Sequence, residues 1–284
     1  MAERPAPVPV ERLRFEMPPV FATAGQARAH RKERLAEALR LLGRLGYEDG
    51  VGALVSVRDP EFADCYWVNP FGRAAGGLTA ADLLLVDGEG RVLQGERRVN
   101  QLAFGVHAAV HRQRPGLVAV VRAQGPYGTA LACLGELLAP VTEEACAFYE
   151  DHALLDEFVG DGDPGRIAVA LGPYKALILR GRGLLTVGDS VEAALWWFHA
   201  AERAARTQLL ARAAGKPVPV EHRAAVAVRE RFGSDLAAWV SYQPLRDAVL
   251  GAPSGVAPGA PSEAAPGPVP GTSPEAAPGV ASTS

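Results

Sequence analysis

The sequence of 284 residues has few cysteines and almost no net charge, and each absence excludes a class of protein. Its three cysteines, Cys65, Cys133 and Cys146, lie far apart, so they form neither a paired disulfide framework nor a zinc knuckle. We interpret them as reduced thiols. The 29 basic and 32 acidic residues are spread along the chain and leave a formal charge of −3. Without a basic footprint, neither nucleic acid nor a membrane is predicted as a partner.

Long apolar runs are also missing from the sequence. No run approaches the roughly 20 apolar residues that a helix needs to cross a bilayer. The first residues, Met1 to Pro5, do not lead into the apolar region of a secretory signal. We therefore expect a cytoplasmic protein.

The two ends of the chain lack the patterns of a packed fold. Residues 251–284 are mainly Pro, Gly, Ala, Ser, Glu and Val, without an aromatic residue or a periodicity, which predicts a disordered tail. Residues 1–25 are rich in proline and predict an irregular N-terminal arm. The folded domain is therefore predicted to span residues 26–250.

The central region contains short strand patterns between helical ones. Helices are predicted from leucines at helical spacing, from Asn100 as an N-terminal cap, and from Asp189 and Glu192 at the spacing of a capping box. The predicted helices span 27–46, 100–114 and 189–215, and the predicted strands span 53–57, 65–68, 83–87, 117–121, 175–179 and 183–187. Runs of strands with helices before, between and after them predict an α/β fold of three layers, α/β/α.

Several motifs then follow one another in a recognisable order. They are Ser56–Pro60, Tyr66–Gly72, Asp82–Asp87, the helix that carries His107 and His111, and Gly183–Gly188. In this order they resemble the class II aldolase/adducin family, over about residues 27–215. The resemblance implies a three-layer α/β/α fold with a central, mainly antiparallel sheet. It also implies a ring-shaped homotetramer with active sites at subunit junctions. The adjacent Trp196, Trp197 and Phe198 point in different directions and cannot all face one core, so at least one of them is expected to meet another subunit.

Catalytic members of that family hold a divalent metal with three histidines, and the corresponding positions here are Arg122, Gln124 and Arg182. A guanidinium is permanently protonated and has no lone pair, so the arginines cannot be ordinary ligands of Zn²⁺ or Fe²⁺. We therefore predict no metal and no other cofactor. Two cations keep the site positive, and their planar donors match a carboxylate or phosphate, so the three residues are predicted to bind an anionic substrate. Loss of function, with the arginines in local salt bridges, is the alternative.

The segment from Asn69 to Gly72 corresponds to the loop that binds the substrate phosphate in aldolases of the family. Phe71 stands where those enzymes have a small hydroxyl residue, which argues against phosphate recognition. Asn69 and Gly72 are still predicted to contact the substrate. Asn100 stands where those aldolases have a catalytic glutamate, and since an amide cannot do acid/base work, we interpret it as a helix cap.

Three residues are candidates for acid/base catalysis. His152 follows an irregular polar stretch that the resemblance places near the subunit junction, where an imidazole would suit proton transfer. Glu143 and Tyr149 are the candidate general base and hydroxyl donor, with a solvated loop as the alternative. His107 and His111 share one helix face but lack a third ligand nearby, so we interpret them as packing residues.

Three functions stay open. The leading prediction is a metal-independent, repurposed class II aldolase-fold enzyme that acts on a small carboxylated or phenolic substrate by lyase-type acid/base chemistry, in specialised metabolism as some relatives are. The second is a non-catalytic binding or scaffold protein that resembles adducin. The third is a relative of aromatic-acid oxygenases with unusual metal ligation through His107, His111, His152 or a carboxylate.

Overall fold

The computed structural model describes residues 17–48, 50–158 and 163–251. These residues belong to one compact unit, Met1–Gly251. The predicted disordered tail lies outside the described residues apart from Gly251, and so does most of the predicted N-terminal arm. No helix within the described ranges is both long enough and apolar enough to cross a membrane.

The described residues form eight α-helices and eight strands. The helices are α1 (Ala24–Arg44), α2 (Gln101–Gln113), α3 (Pro126–Leu134), α4 (Glu143–Cys146), α5 (Pro164–Leu171), α6 (Val191–Ala214), α7 (His222–Phe232) and α8 (Asp235–Leu250). The strands are β1 (Leu54–Arg58), β2 (Cys65–Val68), β3 (Leu84–Asp87), β4 (Val92–Gln94), β5 (Ala119–Ala123), β6 (His152–Leu155), β7 (Ala176–Leu179) and β8 (Gly183–Gly188).

The strands form one sheet in the order β4-β3-β2-β1-β5-β8-β7-β6. Neighbouring strands run antiparallel except β6 and β7, which run parallel and are joined through α5. The predicted mainly antiparallel sheet is thereby confirmed. The centre of the sheet joins strands that are far apart in the chain, because β5 pairs with β1 on one side and with β8 on the other.

Helices cover both faces of the sheet and complete the three predicted layers. On one face α1, α3, α6 and α8 pack on a core that includes Val57, Val121 and Leu184. On the other face α2 and α5 pack on a second core that includes Val120 and Leu177. Val120 and Val121 are adjacent in β5 and serve opposite faces, because side chains alternate along a strand.

The start of α6 differs from the prediction by one residue. Ser190 is extended (φ −147°, ψ 164°), and its hydroxyl accepts a hydrogen bond from the Ala193 N–H at 3.1 Å. Asp189 is therefore not the N-terminal cap, and the prediction of a capping box from Asp189 to Glu192 is wrong. The Asp189 N–H instead donates to Oδ2 of Asp235 at 2.7 Å, which ties the start of α6 to the start of α8.

Several other predicted boundaries agree closely with the structure. β2 has the predicted bounds, Cys65–Val68. Asn100 caps α2 as predicted, since its Oδ1 accepts the Ala103 N–H at 3.2 Å. No element was predicted from the sequence at the positions of β4, β6 and the helices α3, α4, α5, α7 and α8.

Candidate functional site

Three strand ends bring the predicted anion-binding positions to one end of the sheet. Arg122 lies in β5 opposite Leu54, the first residue of β1. Gln124 directly follows β5, and Arg182 directly precedes β8. The two segments touch there, because a Cβ atom on Gly183 would lie 3.9 Å from the Cα atom of Gln124. We call this end of the central strands the arginine site.

The arginine site extends from the interior to the surface. Arg122 is 5% exposed and shares the sheet face of Val120, so it faces α2. In α2, His107 is completely buried, and its burial together with the positive charge of Arg122 lowers the pKa of His107 to about 3. Arg182 is half-buried and Gln124 is exposed, so a ligand that arrives from solvent meets these two first.

The Asn69–Gly72 loop lines a small cavity beside the arginine site. Oδ1 of Asn69 accepts the Val55 N–H at 3.0 Å, and Nδ2 donates to the Ala53 carbonyl at 3.1 Å, so the amide holds the start of β1. Gly72 has a φ of +73°, a conformation that glycine adopts without strain. The cavity measures about 10 Å³, which is room for one water molecule. Substrate contact by Asn69 and Gly72 stays a prediction.

His152 has both ring nitrogens engaged within the chain. Nδ1 lies 2.7 Å from the Phe148 carbonyl, and Nε2 accepts the Leu138 N–H at 3.0 Å. The ring therefore carries its proton on Nδ1. Burial lowers the pKa of His152, which keeps the ring neutral. This geometry favours a structural role for His152 over the predicted proton transfer.

The other two catalytic candidates lie around α4. Glu143 is exposed on the wall of a cleft of about 200 Å³, which Trp196 and Phe232 also line. The Tyr149 hydroxyl lies 3.1 Å from Nδ1 of His222 in α7. This cleft and this hydrogen bond involve no residue of the arginine site.

The strand register shows how far the predicted binding and catalytic residues are separated. His152 pairs with Ala176 across β6 and β7, and Ala176 pairs with Thr186 across β7 and β8. Arg182 precedes Thr186 by four positions, which is roughly 13 Å along an extended chain. Two strands, β7 and β8, lie between His152 in β6 and Arg122 in β5. Within one chain, therefore, the sheet separates His152 from both arginines.

A buried polar cluster lies on the α2 side of the sheet, as Arg122 does. Oγ of Ser56 lies 2.8 Å from Nδ1 of His107 and 2.9 Å from Nε2 of His111. All three residues are completely buried, and Nε2 of His107 has no hydrogen-bond partner among the described residues. Burial lowers the pKa of both imidazoles, so both rings are neutral at neutral pH. This arrangement agrees with the interpretation of both histidines as packing residues and adds Ser56 as their link.

Glu202 is a residue beside the site that sequence reasoning missed. It is buried in α6, and its carboxylate accepts the N–H groups of Tyr127 at 3.1 Å and Gly128 at 2.8 Å, at the start of α3 and close behind Gln124. A Cβ atom on Gly125 or Gly128 would collide with this carboxylate. Burial raises the pKa of Glu202 to about 7, although the two N–H donors oppose the shift. The sequence carried no signal for this contact, because the partners of Glu202 are backbone N–H groups 74 and 75 positions away.

Comparison with known proteins now identifies the family. The model of the class II aldolase and adducin N-terminal domain matches residues 33–209. The chain belongs to this family. Its predicted fold is confirmed by the solved structure of an L-fuculose 1-phosphate aldolase from Glaciozyma antarctica, with a TM-score of 0.78 and 39% identity over 82% of this chain and 93% of that one.

Two relatives match this chain along nearly their whole length. The decarboxylase NovR of Streptomyces niveus is 44% identical over 83% of this chain and 90% of its own. A 4-hydroxy-3-prenylphenylpyruvate oxygenase/4-hydroxy-3-prenylbenzoate synthase of Streptomyces roseochromogenus subsp. oscitans is 43% identical over 83% of this chain and 87% of its own.

The residues of the arginine site do not fit the metal that catalytic class II aldolases hold with three histidines. Arg122 and Arg182 have no lone pair to donate to a metal. Within the described ranges, no three His, Cys, Asp or Glu side chains are grouped so that they could hold a metal ion. His107 and His111 share a helix face, but each already directs a ring nitrogen to Ser56. The donors at the arginine site suit an anion instead.

Proposed function

We propose that the chain is a lyase-type enzyme that acts on a small aromatic acid or phenol by acid/base chemistry, without the family's metal. The proposal rests on Arg122, Gln124 and Arg182, which by the motif order of the sequence correspond to the three positions where catalytic relatives have histidine ligands. A guanidinium does not bind a metal, but it binds a carboxylate through two parallel hydrogen bonds. The arginine site would therefore recognise the anionic group of the substrate.

The two Streptomyces relatives support an aromatic acid as the substrate. One is named a decarboxylase, and the other is named for a prenylated hydroxyphenylpyruvate and a prenylated hydroxybenzoate. Because the match extends over 90% and 87% of these proteins, it is a similarity of nearly whole enzymes. A carboxylated aromatic substrate supplies the anion for which the two arginines are suited.

Paired guanidinium groups suit a reaction in which negative charge develops. When a carboxylate leaves as CO₂, its electron pair stays on the substrate and becomes an enolate if a carbonyl or phenol is conjugated to it. One arginine would orient the acid, and the other would stabilise the oxygen on which the charge develops. A proton then replaces CO₂ on the carbon.

The source of that proton depends on the assembly, which we propose to be a homotetramer as in the resembling family. The predicted acid/base residues Glu143 and Tyr149 are remote from Arg122 in one chain, so they would reach a bound substrate only from a second copy. The partly exposed Trp196 beside Glu143 is apolar surface that such a contact would cover. Size-exclusion chromatography with light scattering tests the assembly, and a monomer would remove this source of the proton.

Binding of aryl carboxylates tests the arginine site directly. Purified, untagged protein is screened by thermal shift with benzoates and arylpyruvates, as wild type, as Arg182→Gln and as Arg122→Ala/Arg182→Ala. We expect the ligands to raise the melting temperature of the wild type and not of either variant, because a ligand selective for the native state stabilises it. The exposed Arg223→Gln serves as the matched control and should retain the shift. Release of CO₂ from a stabilising ligand then tests the reaction.

Elemental analysis of the same protein tests the second candidate, an oxygenase with unusual metal ligation, which the name of one relative favours. About one metal ion per chain would contradict the metal-independent proposal. Absence of both metal and ligand-induced stabilisation, in a stable oligomer, would contradict both enzyme proposals and support an adducin-like scaffold.

A further inference from the structure

A second cleft, of about 300 Å³, lies at the opposite end of the central strands from the arginine site. Val118, just before β5, and Asp189, just after β8, both line it. Arg122 and Arg182 lie toward the other ends of the same two strands. The walls come from α1, from the start of α6 and from the start of α8. This cleft is therefore separate from the proposed substrate site.

The two walls of the cleft carry opposite charges. The α1 wall carries basic side chains, and the wall formed by the starts of α6 and α8 carries acidic ones. They are His30, Arg31 and Arg34 on the first wall, and Asp189, Glu192 and Asp235 on the second. A ligand with a single charge would be repelled by one wall, whereas a zwitterion is complementary to both.

The basic wall has donors that lack acceptors. The guanidinium of Arg34 is paired with Glu37 through Nη1 at 2.8 Å, but its Nε is buried without a hydrogen-bond partner among the described residues. Arg31 donates to the Arg58 carbonyl at 2.7 Å but forms no ion pair within the described ranges. Buried donors of this kind cost free energy until an acceptor arrives, and a carboxylate is the strongest acceptor available.

The acidic wall contains three carboxyl groups close together. Asp235 already accepts hydrogen bonds from the Asp189 N–H at 2.7 Å and from Nε1 of Trp197 at 2.8 Å. Glu192 is 3% exposed, and its one ion-pair contact among the described residues is with Nε2 of His30 at 3.4 Å. The carboxyl groups of Asp189 and Asp235 are neighbours, and burial together with the charge of Asp235 raises the pKa of Asp189. An ammonium group placed here would relieve this repulsion and supply three donors.

Apolar side chains complete the cleft. Phe21 and Trp239 provide aromatic surface, and Val118 and Leu236 provide aliphatic surface. A volume of about 300 Å³ lies at the lower end of the range of small-molecule sites, and an apolar lining with a few convergent polar groups is typical of them.

We propose that this cleft binds an aromatic α-amino acid. The carboxylate lies at Arg31 and Arg34, the ammonium group lies at Glu192 and Asp189, and the side chain packs against Trp239. The proposal assigns a ligand to residues that the class II aldolase chemistry does not use.

Calorimetric titration of the full-length Arg182→Gln variant, whose arginine site should no longer bind aryl carboxylates, with L-phenylalanine, 3-phenylpropanoate and 2-phenylethylamine tests the proposal, because the last two lack the ammonium group and the carboxylate respectively. We expect L-phenylalanine to bind, and each analogue to bind at least about tenfold more weakly. Equal binding of either analogue would show that one charged wall is not used and would overturn the proposal. Absence of binding by all three would overturn it as well.

Variants locate the ligand. Arg31→Gln and Asp189→Asn should each weaken L-phenylalanine binding by about tenfold, while the exposed controls Arg223→Gln and Asp64→Asn should not. Leu236→Ala changes an exposed side chain, so it gives a second test that does not disturb the core, with weaker binding expected. The Arg182→Gln variant should bind L-phenylalanine as the wild type does. Loss of binding in that variant would place the amino acid in the arginine site and overturn the assignment.

Discussion

At the scale of single residues, Glu202 is the group on which pH acts most directly near the arginine site. Its pKa is raised from 4.5 to about 7 in the folded chain, so the folded state holds the proton more tightly than the unfolded state does. Its contribution to stability is therefore complete below about pH 4.5 and is lost as the pH rises to about 7. Ionised Glu202 remains tolerable because Tyr127 and Gly128 donate to it.

Replacing Glu202 by Gln should flatten the pH dependence of stability. The wild type should lose roughly 2 kcal/mol of unfolding free energy between pH 4.5 and pH 7 through this one group, and Glu202→Gln should not. Urea denaturation at a series of pH values measures the difference between the two proteins. The exposed Glu96→Gln is the control and should follow the wild type. Parallel pH profiles for the wild type and Glu202→Gln would show that Glu202 does not titrate in this range.

Ser56 is the second residue whose removal has a predictable cost. Its hydroxyl bonds two buried imidazoles, so Ser56→Ala leaves Nδ1 of His107 and Nε2 of His111 without a partner. We expect a loss of about 1–3 kcal/mol in unfolding free energy, measured by chemical denaturation. Ser241→Ala is a matched control, because this hydroxyl bonds only the carbonyl of Ala237 one turn earlier in its own helix. A similar effect of both changes would contradict the importance of the buried cluster.

At the scale of elements, mutation can decide whether Ser190 or Asp189 is the N-terminal cap of α6. Ser190→Ala should cost about 1 kcal/mol, because the Ala193 N–H loses its acceptor. Asp189→Ala should cost less, since this carboxyl is repelled by Asp235 and caps no helix. Thermal denaturation of the two variants in the same buffer shows which substitution lowers the melting temperature more. The reverse order would restore Asp189 as the cap.

The elements that the sequence predicts well are those with a local signal. β2 and the cap of α2 depend on neighbouring residues, and Asn100 caps the N–H three positions ahead. β4 could not be predicted, because all three of its residues are exposed and show no alternation. Glu202 could not be placed at the arginine site either, because its partners are backbone N–H groups 74 and 75 positions away, which have no sequence signature. The same holds for His152, whose protonation is set by the backbone of Leu138 and Phe148.

At the scale of the whole molecule, the arginine site depends on the order of strands rather than on any one segment. Its three positions were found from the family's motif order, and the sheet then brings them together through β5 and β8. The positions of the catalytic candidates could not be predicted in this way. A residue that lies near a loop in the sequence can lie at either end of the sheet, because the sequence does not determine at which end that loop lies. His152 shows this, since its strand enters the sheet beside β7 at the opposite end from Arg182.

If the scaffold has kept the geometry of its metal-binding relatives, restoring three histidines should restore metal binding. We expect Arg122→His/Gln124→His/Arg182→His to bind about one divalent ion per chain, because neutral imidazoles offer lone pairs where guanidinium groups do not. Elemental analysis after dialysis against Zn²⁺ measures this, with Arg223→His as the control. A folded triple variant that binds no divalent ion would contradict the assignment of the three positions.

The pairing of β5 with both β1 and β8 also has a consequence during synthesis. When Ala123 has left the ribosome, the nascent chain holds β1 and β5 but not the strand that pairs with the far side of β5. The edge of β5 stays unpaired until translation has passed Gly188, and unpaired edges invite aggregation. A ribosome stalled between these two points would therefore display a chain that can bind neither of the proposed ligands and that needs a chaperone to cover its open strand.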